Sequence, residues 1–324
     1  MKKRKRKKPI LKRLLFLLLT VLIFIVGYGA YITYSALQAA DKSYSELERG
    51  EKSKLRVEPV KVSTDPFSIL LLGVEDYSSG GENGRTDSLI VATIDPKAQT
   101  MKMLSIPRDT LVYQEERGKE DKINHAYAFG GKEATINAVE SLLDIPVDYY
   151  ATVNFKGFKE IIDEIGGVTV DVPFDFWEKS DITGKHLQFY EGEMDLNGEE
   201  ALAYSRMRKR DPRGDFGRND RQKQIITAAV DQVMKPNNLL KIDDIASHIG
   251  ENVETNLRVS EALGLQQNFG SFNSSDIEQL TIEGSDEYIN GVYYFIPDEE
   301  ELETLKSELK SHLNHTVESD ELEN

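Results

Sequence analysis

The chain sets long apolar blocks against highly charged ones, and the period of its apolar positions changes along its length. Leu14 to Tyr34 (LLFLLLTVLIFIVGYGAYITY) carries no charge in twenty-one residues. At about 1.5 Å rise per residue this reaches roughly 30 Å, enough to cross the hydrocarbon core of a bilayer, and it predicts one transmembrane helix. Ser35 to Asp65 is polar and poor in apolar residues, which reads as stalk and linker. A core begins abruptly with FSILLLGVE, Phe67 to Glu75, whose near-continuous apolar run predicts a strand buried on both faces. LIVATID (Leu89–Asp95) and MKMLSI (Met101–Ile106), separated by Pro96 and a short polar turn, predict a hairpin. Helical spacing follows in GGKEATINAVESLLD and in FKGFKEIIDEIGG, the latter ending on Gly166-Gly167 in the manner of a left-handed cap. VDYYATVNF and VTVDVP read as strands, and NGEEALAYSRM and RQKQIITAAVDQVMK as further helices. In PDEEELETLKSELKSHL, Pro297 is expected in the first turn and the acids crowd the positive end of the helix dipole. Strands alternating with helices predict one mixed-sheet α/β domain with helices on both faces. It spans residues 66–315, with a tail at 316–324 read as disordered.

Charge fixes the orientation expected of this chain. Residues 1–13 hold nine Lys or Arg and no acid, so by the positive-inside rule they stay cytoplasmic. Tyr28, Tyr31 and Tyr34 stand where an outer aromatic belt would lie. The chain is thus expected in the cell membrane as a single-pass type II protein with its domain extracellular. A cleaved signal would have an apolar stretch of about 7 to 15 residues; Ala36 and Ala39-Ala40 could form a cleavage site, but the run is too long. Without those nine, the 40 basic residues fall to 31 against 56 acids. A domain so acidic should repel nucleic acid and other polyanions. Cysteine is absent, which excludes disulfides, thiolate catalysis and Cys-based zinc sites.

One segment inverts the average. RMRKRDPRGDFGRNDRQK, Arg206 to Lys223, holds eight basic and three acidic residues. In the helix after it, Ile225, Ile226, Ala229, Val230 and Val233 form a stripe of period 3.6, and Arg218, Arg221 and Gln222 continue that stripe toward the N-terminus. Cations there oppose the helix dipole and lose hydration, so an anion should offset both. Backbone N–H groups and the planar forks of Arg suit phosphate. A second reading of the same spacing is a solvated ion network with Asp211, Asp215 and Asp220. Two further segments favour phosphate. Arg85 and Asp87 precede one predicted strand, Arg108 and Asp109 follow another, and Glu75 and Asp76 end the first, which gathers them at one sheet edge. Carboxylates beside arginines suggest an oxygen-bound Mg²⁺ (or Mn²⁺). Gly166-Gly167 lacks the lysine of a phosphate loop and is read as a cap alone. His125 is read mainly as a structural hydrogen-bonding residue, with catalysis the lesser reading.

FSILLLGVE, NGRTDSLIVATIDP, LSIPRDT, DKINHAYAFGG, NFKGFKEIIDEIGGVTVDVP, LNGEEALAYSRMRKRD and GDFGRNDRQKQII together resemble the LytR-CpsA-Psr family of cell-wall transferases over about Phe67 to Val233. The resemblance implies a phosphotransferase for substituted phosphate groups in a Gram-positive bacterium. It would move wall teichoic acid, or a similar anionic glycopolymer, from an undecaprenyl-pyrophosphate carrier to peptidoglycan and release undecaprenyl phosphate. Arg85, Arg108, Arg206, Arg208, Arg218 and Arg221 would grip the pyrophosphate, with Gln222 beside them. Asp87 and Glu75 would hold the metal; this chain has Glu75 where the family commonly has Asp, and Asp76 is a further metal candidate. The prenyl tail would lie in an apolar cavity of the α/β domain. Asn124 and Tyr127 would line the site. Asp87 is the first choice of general base, Asp211 or Asp215 the second. Two other functions are compatible with these residues: a phosphatase that hydrolyses the same lipid pyrophosphate, and a non-enzymatic envelope regulator that binds the lipid-linked polymer.

Overall fold

A computed structural model describes residues 43–75, 84, 86–235, 252–258, 261 and 272–314. The basic tail, the expected span Leu14–Tyr34, Asp76, Arg85 and the tail 316–324 lie outside the described residues. Among the described residues no helix is long and apolar enough to cross a membrane.

In chain order the strands are β1 (Phe67–Val74), β2 (Thr86–Asp95), β3 (Thr100–Ser105), β4 (Leu111–Gln114) and β5 (Lys119–Lys122). Helix α1 (Ile123–Leu143), β6 (Tyr149–Asn154), α2 (Phe155–Glu164), β7 (Val168–Val172), β8 (Phe176–Lys179), β9 (His186–Phe189) and β10 (Gly192–Leu196) come next. They are followed by α3 (Gly198–Arg206), α4 (Asp215–Val233), β11 (Val253–Thr255), β12 (Ile277–Thr281), β13 (Gly284–Ile289), β14 (Val292–Pro297) and α5 (Glu299–His312). The central sheet runs β11-β6-β1-β2-β3-β12. It is mixed: β1 pairs with β2 and β2 with β3 antiparallel, whereas β1 with β6 and β3 with β12 are parallel. The ends of β1, β3, β6 and β12 and the start of β2 therefore share one edge, the place where α/β sheets usually carry ligands.

Alternation along the strands divides the core. Leu70, Leu72, Leu89, Val91, Leu104 and Tyr150 pack with α1 and α5. On the other face Phe67, Ile94 and Tyr149 pack with Val230 and Met234 of α4. A separate cluster joins α2, α3 and the start of α4 to β7 and to the β8–β9 hairpin. Helices thus cover both sheet faces.

Several elements differ from expectation. β1 is not buried on both faces: Ile69, Leu71 and Gly73 are half-buried, as are their β6 neighbours Ala151 and Val153. Because paired strand residues point the same way, these positions form a partly open apolar trough on the α4 side of the sheet. The helix expected from Gly130 starts at Ile123 and breaks at Gly130-Gly131, where Gly131 has φ 61°. Pro297 ends β14, and Asp298 caps α5 by accepting from the N–H groups of Glu300 and Glu301. Residues 43–65, expected as linker, lie against the domain. Arg56 forks onto Asp148 at 3.0 and 2.7 Å, Arg49 meets Glu140 at 2.8 Å, and Leu47 and Val62 are buried. Gly166 and Gly167 are left-handed, as a cap requires, with φ 87° and 83°.

Candidate anion-binding site at the sheet edge

Three segments deliver the site. Asp87 is the second residue of β2, and the chain leaving β3 keeps its antiparallel register through Ile106, which donates to the Leu89 carbonyl. That register brings Arg108 opposite Asp87, where its Nη1 donates to Oδ1 at 2.7 Å. The start of α1 is tied to the same loop, with the Asn124 N–H on the Arg108 carbonyl at 3.2 Å. From the far side α4 enters through Gly214, at φ 57°, and begins with Asp215.

Asp215 is the hub. Its carboxylate stands 2.6 Å from Nε of Arg208, 3.4 Å from Nη2 of Arg218 and 3.7 Å from Nε of Arg108. Lys122 and Asp109 form a neutral pair at 2.7 Å beside them. Three guanidiniums against Asp87 and Asp215 leave an excess of positive charge. Burial pushes the Arg218 guanidinium down from its ordinary value, with Asp215 opposing, and the nearness of Arg108 lowers it further. Burial would also lower Arg108, but Asp215 and Asp87 outweigh it and raise that group.

The donors are incompletely used. Arg218 is 5% exposed, and its Nε and Nη2 make no hydrogen bond among the described residues; neither does Nε of Arg108. Each buried donor left unmade costs about 1–3 kcal/mol. Among the described residues, Asn124 Oδ1, Gln222 Oε1 and Thr86 Oγ1 in the same segments also make no hydrogen bond. An anion carrying several oxygens would satisfy the arginines at once.

The other expected residues fall elsewhere. Arg221 is 1% exposed and fully engaged inside the protein: Nη1 donates to Asp211 at 2.5 Å, Nε to the Tyr204 carbonyl at 3.2 Å and Nη2 to the Met207 carbonyl. It ties α4 to the loop after α3. The Asp211 side chain is fully covered, so this second-choice base does not face a substrate. Burial alone would push its carboxyl up, but hydrogen bonds from Arg221 and from the Arg213 N–H hold it below the usual carboxylate range. Arg206 is exposed, its guanidinium 4.8 Å from the centre of the Phe155 ring. A solvated ion pair also exists, but it joins Arg213 to Asp220, with the buried Lys223 on the other carboxylate oxygen. His125 Nδ1 pairs with Asp121 Oδ1 at 3.0 Å. The hub role of Asp215 and the placement of Lys122 were not read from spacing. An acid directly between Gly214 and Phe216 at a helix start was the available signal for the first.

Glu75 directly follows β1 at this edge, half-buried. Among the described residues no three His, Cys, Asp or Glu side chains converge as a metal site would require. That does not conflict with Mg²⁺, which commonly takes only one or two carboxylates, with water and substrate phosphate completing six oxygens. Asp87 and Glu75 supply that oxygen chemistry. An open groove of about 1360 Å³ lies at the opposite sheet edge, between the β2–β3 turn and α5, but Glu299, Glu300, Glu303 and Glu308 line it. Carboxylates of that density repel phosphate.

Fold and site together define a mixed α/β protein with a cluster of arginines and carboxylates at the strand ends. The chain belongs to the LytR_cpsA_psr family, whose model matches residues 30–311. It is 54% identical to the polyisoprenyl-teichoic acid--peptidoglycan teichoic acid transferase TagV of Bacillus subtilis, over 95% of this chain and 80% of the relative. Identity to the transferase TagU of Halalkalibacterium halodurans is 46%, over 91% and 95% of the two chains. Among solved structures, the crystal structure of B. subtilis TagV superposes with a TM-score of 0.72 at 55% identity, covering 78% of this chain and 99% of that one. TagT bound to LI-WTA gives 0.70 at 35% identity, covering 84% and 100%.

Proposed function

We propose that this protein transfers wall teichoic acid, or a closely similar anionic glycopolymer, from a polyprenyl-pyrophosphate carrier to peptidoglycan; its relatives are named polyisoprenyl-teichoic acid--peptidoglycan teichoic acid transferases. The observation that carries the reading is Arg218, a buried cation with two donors that make no hydrogen bond among the described residues, held beside Arg108 and Arg208 at the sheet edge. A pyrophosphate spanning these arginines completes their hydrogen bonds and cancels their excess charge. The apolar trough along Ile69, Leu71, Ala151 and Val153 suits the prenyl tail, since each buried CH₂ is worth about 0.8 kcal/mol.

In the reaction a hydroxyl of the acceptor sugar attacks the polymer-side phosphorus. A new O–P bond forms, the P–O bond to the carrier-side phosphate breaks, and polyprenyl phosphate leaves. Asp87 takes the hydroxyl proton, while the hydrogen bond from Arg108 keeps its carboxylate aimed. Arg108, Arg208 and Arg218 stabilise charge that spreads over the phosphate oxygens, the main demand of phosphoryl transfer. Asp87 and Glu75, with Asp76 beside Glu75 in sequence, would hold Mg²⁺, which would supply further neutralisation of those oxygens, and Arg85 would join the arginines that grip the pyrophosphate. Arg221 serves by fixing α4. The uncharged run at Leu14–Tyr34 would keep the enzyme beside a carrier that cannot leave the bilayer cheaply.

The test incubates the full-length protein in detergent with Mg²⁺, a lipid-pyrophosphate-linked teichoic acid precursor and peptidoglycan oligomers. Polymer covalently attached to glycan is the expected product. Consumption of the lipid with no polymer on the glycan would establish hydrolysis and end the transferase reading.

A further inference from the structure

The β13–β14 hairpin stands beside the arginine site, and the function above gives it no part. Its turn is Asn290-Gly291, with φ 54° and 80°, the left-handed pair that a two-residue hairpin needs. All six residues of β13 are exposed, Tyr288 at 75%. Yet the hairpin is fastened to the site at its base. The Phe295 N–H donates to the Asp109 carbonyl at 3.0 Å, Thr110 bridges to Phe295, and the Phe295 ring meets Phe216, the neighbour of Asp215, edge-on at 5.8 Å.

One face of the ribbon is continuous with the site. Tyr288 and Tyr293 are directly paired, so their side chains share a face, and their rings meet at 5.7 Å and 64°. Lys122, ion-paired to Asp109, lies 5.6 Å from the Tyr293 ring. The Tyr293 hydroxyl donates to Asp286 Oδ1 at 2.8 Å. Burial and then Asp286, with Asp109 and Asp215 adding to it, push that phenol upward, which keeps it a donor at any working pH.

We infer that the Tyr288–Tyr293 face, with Asp286, is the subsite that receives the acceptor glycan strand. The inference rests on the transfer reading, which requires a second substrate to approach the phosphorus over Arg108 and Asp87. Charge selects between the two substrates. Asp286 on this face repels an anionic polymer, so the donor must extend elsewhere, whereas an uncharged run of amino sugars meets no such penalty. Sugar rings present C–H faces to aromatic rings and hydroxyls to carboxylates, and the ribbon offers both within two residues. An anionic bilayer surface is disfavoured by the same acid.

The test uses full-length protein in detergent and measures binding of peptidoglycan glycan oligomers to wild type, Tyr288→Ala and Tyr288→Phe, alongside KM for each substrate. At 75% exposure Tyr288 is not needed for folding. Loss of one central aromatic contact should weaken glycan binding and raise acceptor KM by about 5- to 20-fold. Phe should restore both, and KM for the lipid precursor should stay within about twofold of wild type, well under the 1.4 kcal/mol of a tenfold change. Unchanged glycan binding in Tyr288→Ala overturns the subsite, as does an effect confined to the lipid precursor or to vesicle binding. Binding needs no turnover, so the two readings separate: glycan bound at Tyr288 by a protein that transfers nothing ends the transferase reading alone, and full transfer by Tyr288→Ala ends the subsite alone.

Discussion

Arg221→Met and Arg218→Met, three residues apart on one helix, should fail in opposite ways. Arg221 and Asp211 are 1% and 0% exposed and 2.5 Å apart. Removing the arginine strands a buried carboxylate and takes donors from the carbonyls of Tyr204 and Met207. Breaking a buried pair from one side costs about 3–5 kcal/mol. In a domain of this size each kcal/mol moves Tm by about 2–4 °C, so the melting point should fall by about 6–20 °C. Arg218→Met instead removes two buried donors that make no hydrogen bond among the described residues, worth about 1–3 kcal/mol each when unmade, while Asp215 keeps Arg108 and Arg208. Its Tm should hold or rise although transfer is lost, the trade-off expected where a site is strained in the absence of ligand. Thermal melts of both full-length variants by circular dichroism, run with a transfer assay, decide the matter. An Arg221→Met protein that melts with wild type while losing transfer would refute the structural role, and an Arg218→Met protein that melts far below it would refute the claim of unmet donors.

Three further outcomes follow from particular contacts. A Cβ on Gly217 would stand 1.8 Å from Asp211 Oδ2, so Gly217→Ala must displace the carboxylate that Arg221 holds; Tm should drop much as in Arg221→Met. His312 sits between the hydroxyls of Thr93 and Thr100 at 2.8 and 3.0 Å, and burial, then Lys102, lowers its pKa. Its neutral form is favoured in the fold, so its contribution is complete above the unfolded value near 6.5 and is lost as pH falls through the lower folded value. Protection of α5 amides from exchange should therefore weaken as pH falls below about 6.5, and His312→Gln should flatten that dependence. EDTA should abolish transfer with no change in Tm, because two carboxylates hold Mg²⁺ firmly only together with substrate phosphate; a melting point that falls on chelation would mean a structural metal instead.

Local pattern was enough to place the β2–β3 hairpin, the Gly166-Gly167 cap, the helices after Asn197 and Asp298, and the gathering of Asp87 and Arg108 at a sheet edge. Each depends on neighbours a few residues away, where period and capping chemistry are written directly in the chain. The β13–β14 ribbon went unread, although Asn290-Gly291 between Tyr-Ile and Val-Tyr is a strong short-range hairpin signal, and its position against Asp109 is set by packing alone. What spacing left undecided was the division of labour among the arginines. Arg218 and Arg221 lie on the same stretch of α4 and continue the same stripe, so periodicity treats them alike. Only tertiary packing puts the loop after α3 over one of them, supplying Asp211 and two carbonyls, and leaves the other facing Asp215 with donors to spare. The apolar run of β1 specified a strand in the same way, yet the opening of its Ile69–Leu71–Gly73 face was decided by the sheet register and by where α4 crosses, contacts between residues far apart in sequence.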